Sequence, residues 1–406
     1  MAAEKAPLHP RRSARTVRWS ILAAVLAVIT TLGILHQTGG LVKPVGVDAL
    51  CPFGGLETLG SLLGGGGLIR RIALSSVLLL VAAVVTALVF RRAFCGRICP
   101  LGYLQELFGG LGKRMLGRRF TMPTNLDRPA RYLKYLVLAL VLYFTWRTGE
   151  LVIRSYDPWV AYNHLTSPEL FTENAAAFAV LVAVLIGSLF FDRFYCKYAC
   201  PMGAFLGLIS RFSVFKIRRD EEACIDCGLC DRACPVNVHV STATTVTSPE
   251  CIDCGECVAA CPAQGALGTR TSSGHTLGPV QAAVFSVSLF AVLVLLASAA
   301  GLFEWTVPTL TQSVRESGTA AFDTALIKGS TSLSDVADAA GIAPDVFTRV
   351  YGVPESEQDK ALKDLKDPYG CSPGEIRAFV VAYRADPTVA ETWVPGALHE
   401  DGEEAH

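Results

Sequence analysis

The chain has 406 residues, of which 51% are hydrophobic and 18% charged. That balance is too apolar for an ordinary water-soluble surface and points to membrane spans. Lys plus Arg and Asp plus Glu stand at 36 each, so no bulk charge favours nucleic acid or an acidic partner. Eight of the 14 cysteines crowd into residues 224–261, at short regular spacings that read as metal ligation rather than disulfides.

In chain order, the expected spans are Val17–Leu35, Arg71–Phe90, Leu133–Thr148, Ala175–Phe191 and Pro279–Gly301. Crossing a bilayer takes about 20 helical residues. No small-x-small cleavage site follows the first span, so it reads as an uncleaved anchor. Arg11, Arg12, Arg15 and Arg18 open that span, and a run from Arg91 to Arg131 fills the loop after the second. Arg193, Lys197, Arg211, Lys216, Arg218 and Arg219 follow the fourth, whereas loops 37–70 and 150–174 are poor in such residues. The positive-inside rule then places the N-terminus and both basic loops in the cytoplasm, and the C-terminal tail outside.

The first four spans read as a duplicated two-helix unit, 17–130 and 131–216, within a membrane domain covering 1–216. Span two ends in Phe94-Cys95-Gly-Arg-Ile-Cys99-Pro100-Leu-Gly102, and span four in Tyr195-Cys196-Lys-Tyr-Ala-Cys200-Pro201-Met-Gly203. Before each span, an outer loop carries a Pro-aromatic pair, as Cys51-Pro52-Phe53 and Asp157-Pro158-Trp159. Both units share one orientation, so a parallel repeat about an axis along the membrane normal is expected. Cysteines four apart share a helix face, and the proline after the second should bend the helix. Brought together, Cys95, Cys99, Cys196 and Cys200 are a candidate third redox or metal site; the alternative is plain packing of small polarisable side chains. In the outer loops, Glu57 and His164 are candidate acceptors of quinol protons, although a solvated loop residue explains each. Cys51 and Cys371 both fall outside under this topology, where a disulfide between them is conceivable.

Residues 217–270 hold the strongest signal. Cys224-Ile-Asp-Cys227-Gly-Leu-Cys230-Asp-Arg-Ala-Cys234-Pro235 returns as Cys251-Ile-Asp-Cys254-Gly-Glu-Cys257-Val-Ala-Ala-Cys261-Pro262. This is the spacing of a two-cluster ferredoxin, in which the fourth cysteine of each run ligates the other cluster. Cys224, Cys227, Cys230 and Cys261 are therefore expected to hold one [4Fe–4S] cluster, and Cys251, Cys254, Cys257 and Cys234 the other. Zinc also takes four thiolates, but two in-register copies with a distal Cys-Pro argue for clusters. Gly228 and Gly255 let backbone N–H groups approach the sulfides. Ile225 and Ile252 are expected to pack against the clusters, and Asp226 and Asp253 to face solvent.

Beyond the fifth span (278–301), residues 302–406 read as a small all-α domain. Leu333, Val336, Ala337 and Ala340 form a helical stripe stopped by Gly341; Pro344 opens a second helix that Gly352 ends. Ser372 and Glu375 frame a capping box for a third helix reaching about Tyr383. The second helix offers mainly Asp345 and Arg349 for contacts, so an extracytoplasmic protein partner is expected and no nucleic acid.

Two Cys-x-x-x-Cys-Pro motifs at span ends, followed by the doubled ferredoxin run, resemble the polytopic membrane polyferredoxins. That family includes the quinol-dehydrogenase membrane subunit of periplasmic nitrate reduction, the regulator of nitrous oxide reduction and a cytochrome oxidase assembly protein. The resemblance covers about residues 17–270. It implies electron exchange among membrane quinone, cytoplasmic clusters and a redox protein partner, in a multi-pass protein of the bacterial cytoplasmic membrane. The chain departs from the nitrous oxide type in lacking an outer flavin-binding domain before the spans, and it has no Cys-x-x-Cys-His haem motif. The leading expectation is an electron-transfer subunit, a candidate component of a quinol dehydrogenase. The alternatives are a metal-reducing assembly factor, for which outer Met-rich clusters are absent with only four Met in the chain, and a redox-sensing regulator.

Overall fold

The computed structural model describes residues 10–38, 51–63, 74–118, 120–148, 152–166, 170, 174–303, 305, 324, 327, 329 and 331–395. Loop residues 39–50 and 64–73, the start of the second expected span, and residues 306–323 lie outside the described residues. The chain divides into two compact units, Met1–Thr306 and Val307–His406.

The first unit is built mainly from helices. In order they are α1 (Pro10–Thr38), α2 (Pro52–Leu63), α3 (Leu74–Phe90), α4 (Ala93–Arg97), α5 (Pro100–Leu116), α6 (Thr124–Ala130) and α7 (Leu133–Thr148). Then come α8 (Pro158–Asn163), α9 (Ala175–Phe190), α10 (Phe194–Tyr198), α11 (Pro201–Ile209), α12 (Leu229–Ala233), α13 (Glu256–Ala260) and α14 (Pro279–Ala299). Each of the five expected spans is helical over most of its described residues. By length and composition, Ser13–Gln37 and Pro279–Ala299 suffice to cross a membrane, while Leu74–Phe90 and Ala175–Phe190 are apolar but shorter. At 1.5 Å per residue, helices α3 and α9 reach only about 25 Å of a hydrocarbon core about 30 Å thick.

Two features depart from the expectation for the repeat. The Pro-aromatic pairs do not sit in open loops: Pro52 and Pro158 each start a helix, α2 and α8. Helix α2 packs so closely on α3 that a Cβ on Gly55 would meet the Ser76 carbonyl oxygen at 2.4 Å. Trp159, on α8, is buried against Leu101, with Leu26 and Ile29 of α1 packed around them. The second departure concerns the paired cysteines. The helix does not bend through Pro100; it stops, and Cys99, with extended backbone, caps a new helix whose first residue is Pro100. Cys200 does the same for α11, its sulfur accepting the Gly203 N–H at 3.3 Å. Proline disfavours helical geometry in the residue before it and suits the first helical position, so it ends one helix by starting the next.

Strands β1 (Lys216–Arg219), β2 (Leu267–Arg270) and β3 (Thr276–Leu277) form an antiparallel sheet in that order. Lys216 pairs with Arg270 and Arg219 with Leu267, so the two ends of the cysteine-rich segment lie side by side. The segment is thereby inserted between α11 and α14 with its two ends paired. Strand β3 pairs Thr276 with Arg270 and Leu277 with Thr269, carrying the sheet past residue 270.

In the second unit, α15 (Leu333–Ala340), α16 (Pro344–Tyr351), α17 (Leu362–Tyr369) and α18 (Pro373–Ala385) surround Leu333, Val336, Phe347, Leu365, Ile376 and Phe379. Gly341 and Gly352 end α15 and α16 at φ of 68° and 72°, a conformation that costs glycine little. Ser372 Oγ accepts the Glu375 N–H at 3.2 Å to start α18. Helix α17 escapes sequence reading, because it is rich in charge and carries Pro368 near its end. Cys51 and Cys371, the conceivable disulfide pair, fall in separate units, and each is a free thiol there.

Candidate functional site

The two cysteine runs fold alike. Asp226 and Asp253 both take φ of 50°, and Gly228 and Gly255, at 64° and 76°, open the five-residue helices α12 and α13. Each run wraps one cavity, and the fourth thiol comes from the other run. One cavity is lined by Cys224, Cys227, Cys230 and Cys261. Its counterpart is lined by Cys251, Cys254, Cys257 and Cys234, with Ile217, Val238 and Val246 behind them. Among the described residues, no group of three or more His, Cys, Asp or Glu is arranged to hold a single metal ion. Four thiols spread around one cavity, and not converging on a single-ion site, suit a polynuclear cluster, whose corners lie apart, better than one zinc ion.

The surroundings of the two cavities differ sharply. Ile252 is 1% exposed, and the Asp253 carboxylate is buried beside the guanidinium of Arg97 at 3.2 Å. Burial pushes the Asp253 carboxyl above its usual range, against the pull of Arg97 and Arg91. Ile225 is 64% exposed, and the Asp226 side chain faces solvent. The expectation for Asp253 is thus corrected, since it is not a solvent-facing residue; Ile225 lines its cavity as expected but leaves most of its side chain in solvent. The cause is packing on the helical bundle. Gly96, between Cys95 and Cys99, lies so close to the second run that an added Cβ would stand 2.1 Å from the Ile252 carbonyl oxygen.

Basic side chains fasten this contact. Arg18 Nε donates to the Gly96 carbonyl at 2.8 Å, and its guanidinium also reaches Glu256 at 3.0 Å and Glu106 at 2.6 Å. Arg91 donates to the Val246 carbonyl at 2.9 Å, and Arg97 to the Ala282 carbonyl at 2.6 Å. Lys134 pairs with Glu250, and Arg131 donates to the Val236 carbonyl at 3.1 Å. Arg91, Arg92, Arg97, Arg193 and Lys134 are all buried. Residues that look in sequence like topology markers thus tie the bundle to the inserted segment.

Cys95, Cys99, Cys196 and Cys200 gather in one buried region. Cys99 lies within electrostatic reach of Cys196 and Cys95, and Cys200 of all three others. Cys51, which caps α2, is also near Cys99. Gln105 Nε2 donates to the Cys196 sulfur at 3.2 Å. Two arginines flank the group: Arg92 beside Cys95 and Cys200, Arg193 beside Cys196 and Cys99. Arg193 also donates to Glu106 at 2.7 Å and to the Cys95 carbonyl at 2.6 Å. Its Nη2, and Nε of Arg92, are buried without a hydrogen-bond partner among the described residues. Arginines and glycines are exchanged between the repeats. A Cβ on Gly102 would meet Arg193 Nη1 at 2.8 Å, and one on Gly203 would meet Arg92 Nη2 at 2.6 Å. Each repeat therefore reads Arg-x-x-Cys-x-x-x-Cys-Pro-x-Gly, and each glycine makes room for the other repeat's arginine.

Comparison with known proteins agrees with this geometry. A family described as a 4Fe-4S binding domain matches twice, at residues 72–119 and 174–220, and a 4Fe-4S dicluster domain matches residues 216–262. The chain is 34% identical over 260 residues to the putative electron transport protein YccM of Escherichia coli, covering 61% of this chain and 72% of that protein. The chain belongs to the membrane polyferredoxin family. It is also 28% identical to the methylamine utilization ferredoxin-type protein MauN of Methylobacillus flagellatus, over 58% of this chain and 80% of that protein. Protein NirI of Paracoccus denitrificans is 30% identical across 39% of this chain, which spans 24% of that relative. No solved structure matches.

This polyferredoxin is an iron–sulfur electron-transfer protein. The two matches of the first family fall on the two Cys-x-x-x-Cys-Pro units, one per repeat. Sequence reading found the cysteines and glycines of these units but missed Arg92 and Arg193. The signal was present, since both arginines stand three residues before the first cysteine. In sequence Glu57 reads as an outer-loop residue. It is 2% exposed on α2 and accepts a hydrogen bond from Thr145 of α7 at 3.2 Å. His164 is half-buried, and its ring bonds the Val160 carbonyl at the end of its own helix.

Proposed function

We propose that this polyferredoxin passes single electrons between a membrane quinone and a redox protein partner. Cys224, Cys227, Cys230 and Cys261 hold one [4Fe–4S] cluster, and Cys251, Cys254, Cys257 and Cys234 the second. Cys95, Cys99, Cys196 and Cys200 hold a third iron–sulfur centre. The observation that carries the reading is the pair of cavities, each lined by three thiols from one run and a fourth from the other. Support for the third centre comes from its donor set. Four thiolates on a cubane leave a doubly negative group, and two arginines beside the thiols, buried with N–H groups unsatisfied, supply the opposing charge. When bound, these groups accept and release one electron each; the protein's own part is to hold them, compensate their charge and limit water.

The chain crosses the membrane five times, with the N-terminus and the inserted segment in the cytoplasm and residues 307–406 outside. Support lies in the apolar side chains that α1, α3, α7, α9 and α14 turn outward, among them Val28, Val81, Leu136, Ile186 and Leu295. Lipid covers such a surface; water would not favour it. Glu57, buried among α2 and α7, is the carboxylate placed to take a proton from quinol.

The test is anaerobic purification with iron and sulfide counting, followed by addition of a menaquinol analogue under EPR. About 12 irons per chain and reduced-cluster signals on quinol addition are expected. About eight irons would remove the third centre, and clusters that respond to dithionite but not to quinol would remove the quinol step.

A further inference from the structure

One run of cysteines is sealed against the helical bundle and the other opens to solvent, although the two share the sequence Cys-Ile-Asp-Cys-Gly. In the sealed run, Ile252 is buried, Asp253 is paired with Arg97, and the backbone touches Gly96. In the open run, Ile225, on the cavity wall with Cys224, Cys227 and Cys230, is 64% exposed, and Leu229, next to Cys230 in the chain, is 38% exposed. The rim around these apolar side chains is acidic. Glu221, Glu222 and Asp226 are exposed, and the base beneath them, Arg219, is already committed to Glu221 and Asp226 at 3.4 Å each. Arg232 is the exposed base beside them, donating to the Cys227 carbonyl at 2.9 Å.

Resting on the electron-transfer reading above, we infer that the face formed by Ile225 and Leu229 within the Glu221, Glu222 and Asp226 rim is the port for a soluble one-electron carrier with a basic docking surface. The cavity lined by Cys251 is the inner station, in backbone contact with the paired-cysteine turn, and the cavity lined by Cys224 is the outer one. An exposed isoleucine and leucine provide a small dry contact, and the acidic rim steers a cationic partner and keeps anionic carriers away. At the port, one electron leaves the outer station and one enters the docked carrier. No bond is made or broken and no proton need move.

Horse-heart cytochrome c, a basic one-electron acceptor, serves as the probe, with an acidic flavodoxin as the opposite charge case. The full-length protein in detergent is reduced with dithionite, freed of excess, and mixed with each carrier in a stopped-flow instrument. We expect cytochrome c to be reduced at a rate that falls about tenfold or more from low to high salt, as for electrostatically steered association. Glu221→Lys with Glu222→Lys lowers the low-salt rate about tenfold and flattens the salt dependence. Ile225→Ser slows transfer while leaving the salt slope in place. EPR of both reduced clusters at full intensity in each variant shows that the fold and the clusters are intact. Rates unchanged by these substitutions, or the acidic flavodoxin reacting as fast as cytochrome c, would overturn the port. A wild-type protein without iron would overturn the electron-transfer reading itself, and the two failures are therefore distinguishable.

Discussion

Gly96→Ala probes the contact on which the ordering of the centres depends. The new Cβ would stand 2.1 Å from the Ile252 carbonyl oxygen, 3.2 Å from its carbon and 3.3 Å from the Cys254 nitrogen. All three are backbone atoms, so no rotamer change relieves the clash, and the two loops must separate by about 1 Å, a strain of about 1–3 kcal/mol. The Arg18 bond to the Gly96 carbonyl, 2.8 Å long, and the Arg97–Asp253 pair at 3.2 Å cross the same contact and would lengthen with it. Thermal unfolding followed at the cluster absorbance band, with EPR of the reduced protein, reads both effects. A lower midpoint is expected, together with weaker magnetic interaction between the proposed paired-cysteine centre and the inner cluster. Two controls separate local from general damage. A Cβ at Gly112 would stand 1.8 Å from the Leu189 carbonyl oxygen, away from the cysteine runs, so Gly112→Ala should destabilise without altering the spectra. Gly110 has nothing within 4 Å, and Gly110→Ala should be neutral or stabilising by up to about 1 kcal/mol. A Gly96→Ala protein with wild-type midpoint and spectra would refute the reasoning.

Arg97→Met leaves the buried Asp253 carboxylate without its partner, at a cost of about 3–5 kcal/mol; adding Asp253→Asn should recover part of it, measured as a double-mutant cycle in thermal stability. Arg193→Lys cannot serve Glu106, the Cys95 carbonyl and a sulfur at once. Iron should fall from about 12 to about eight per chain while the two ferredoxin-type EPR signals persist. Asp127 carries a pH signature. Burial alone would raise its carboxyl, but hydrogen bonds from Tyr198 and Arg131 and the nearby Lys197 hold it below its usual value. A depressed folded value contributes stability above the unfolded pKa of about 3.9 and loses it as pH falls through the folded value. The stability advantage of wild type over Asp127→Asn should therefore be full near neutrality, begin to fall at about pH 4, and vanish only once the pH is below the depressed folded value. An advantage independent of pH would show that the carboxylate's charge is not what matters.

Local sequence determines much of this protein. Three cysteines at two-residue spacing wrap a loop, Pro100 and Pro201 restart helices, and Gly341 and Gly352 stop them. Each of these acts over a single turn, so its meaning can be read without knowing what lies across the fold. The duplication is legible for the same reason, because both copies repeat their local pattern. What the tertiary structure alone decides is how identical patterns are used. Ile225 and Ile252 have the same neighbours in sequence, yet one is exposed and the other buried, because only the second run meets Gly96 of a distant turn. Arg92 and Arg193 look like markers of the cytoplasmic side, yet each fills the space left by a glycine of the other repeat. Glu57 looks like a loop residue because nothing nearby in sequence shows that α2 folds back against α3 and α7. Burial, charge pairing and the exchange of side chains between repeats are long-range properties, set by which surfaces meet when the helices close.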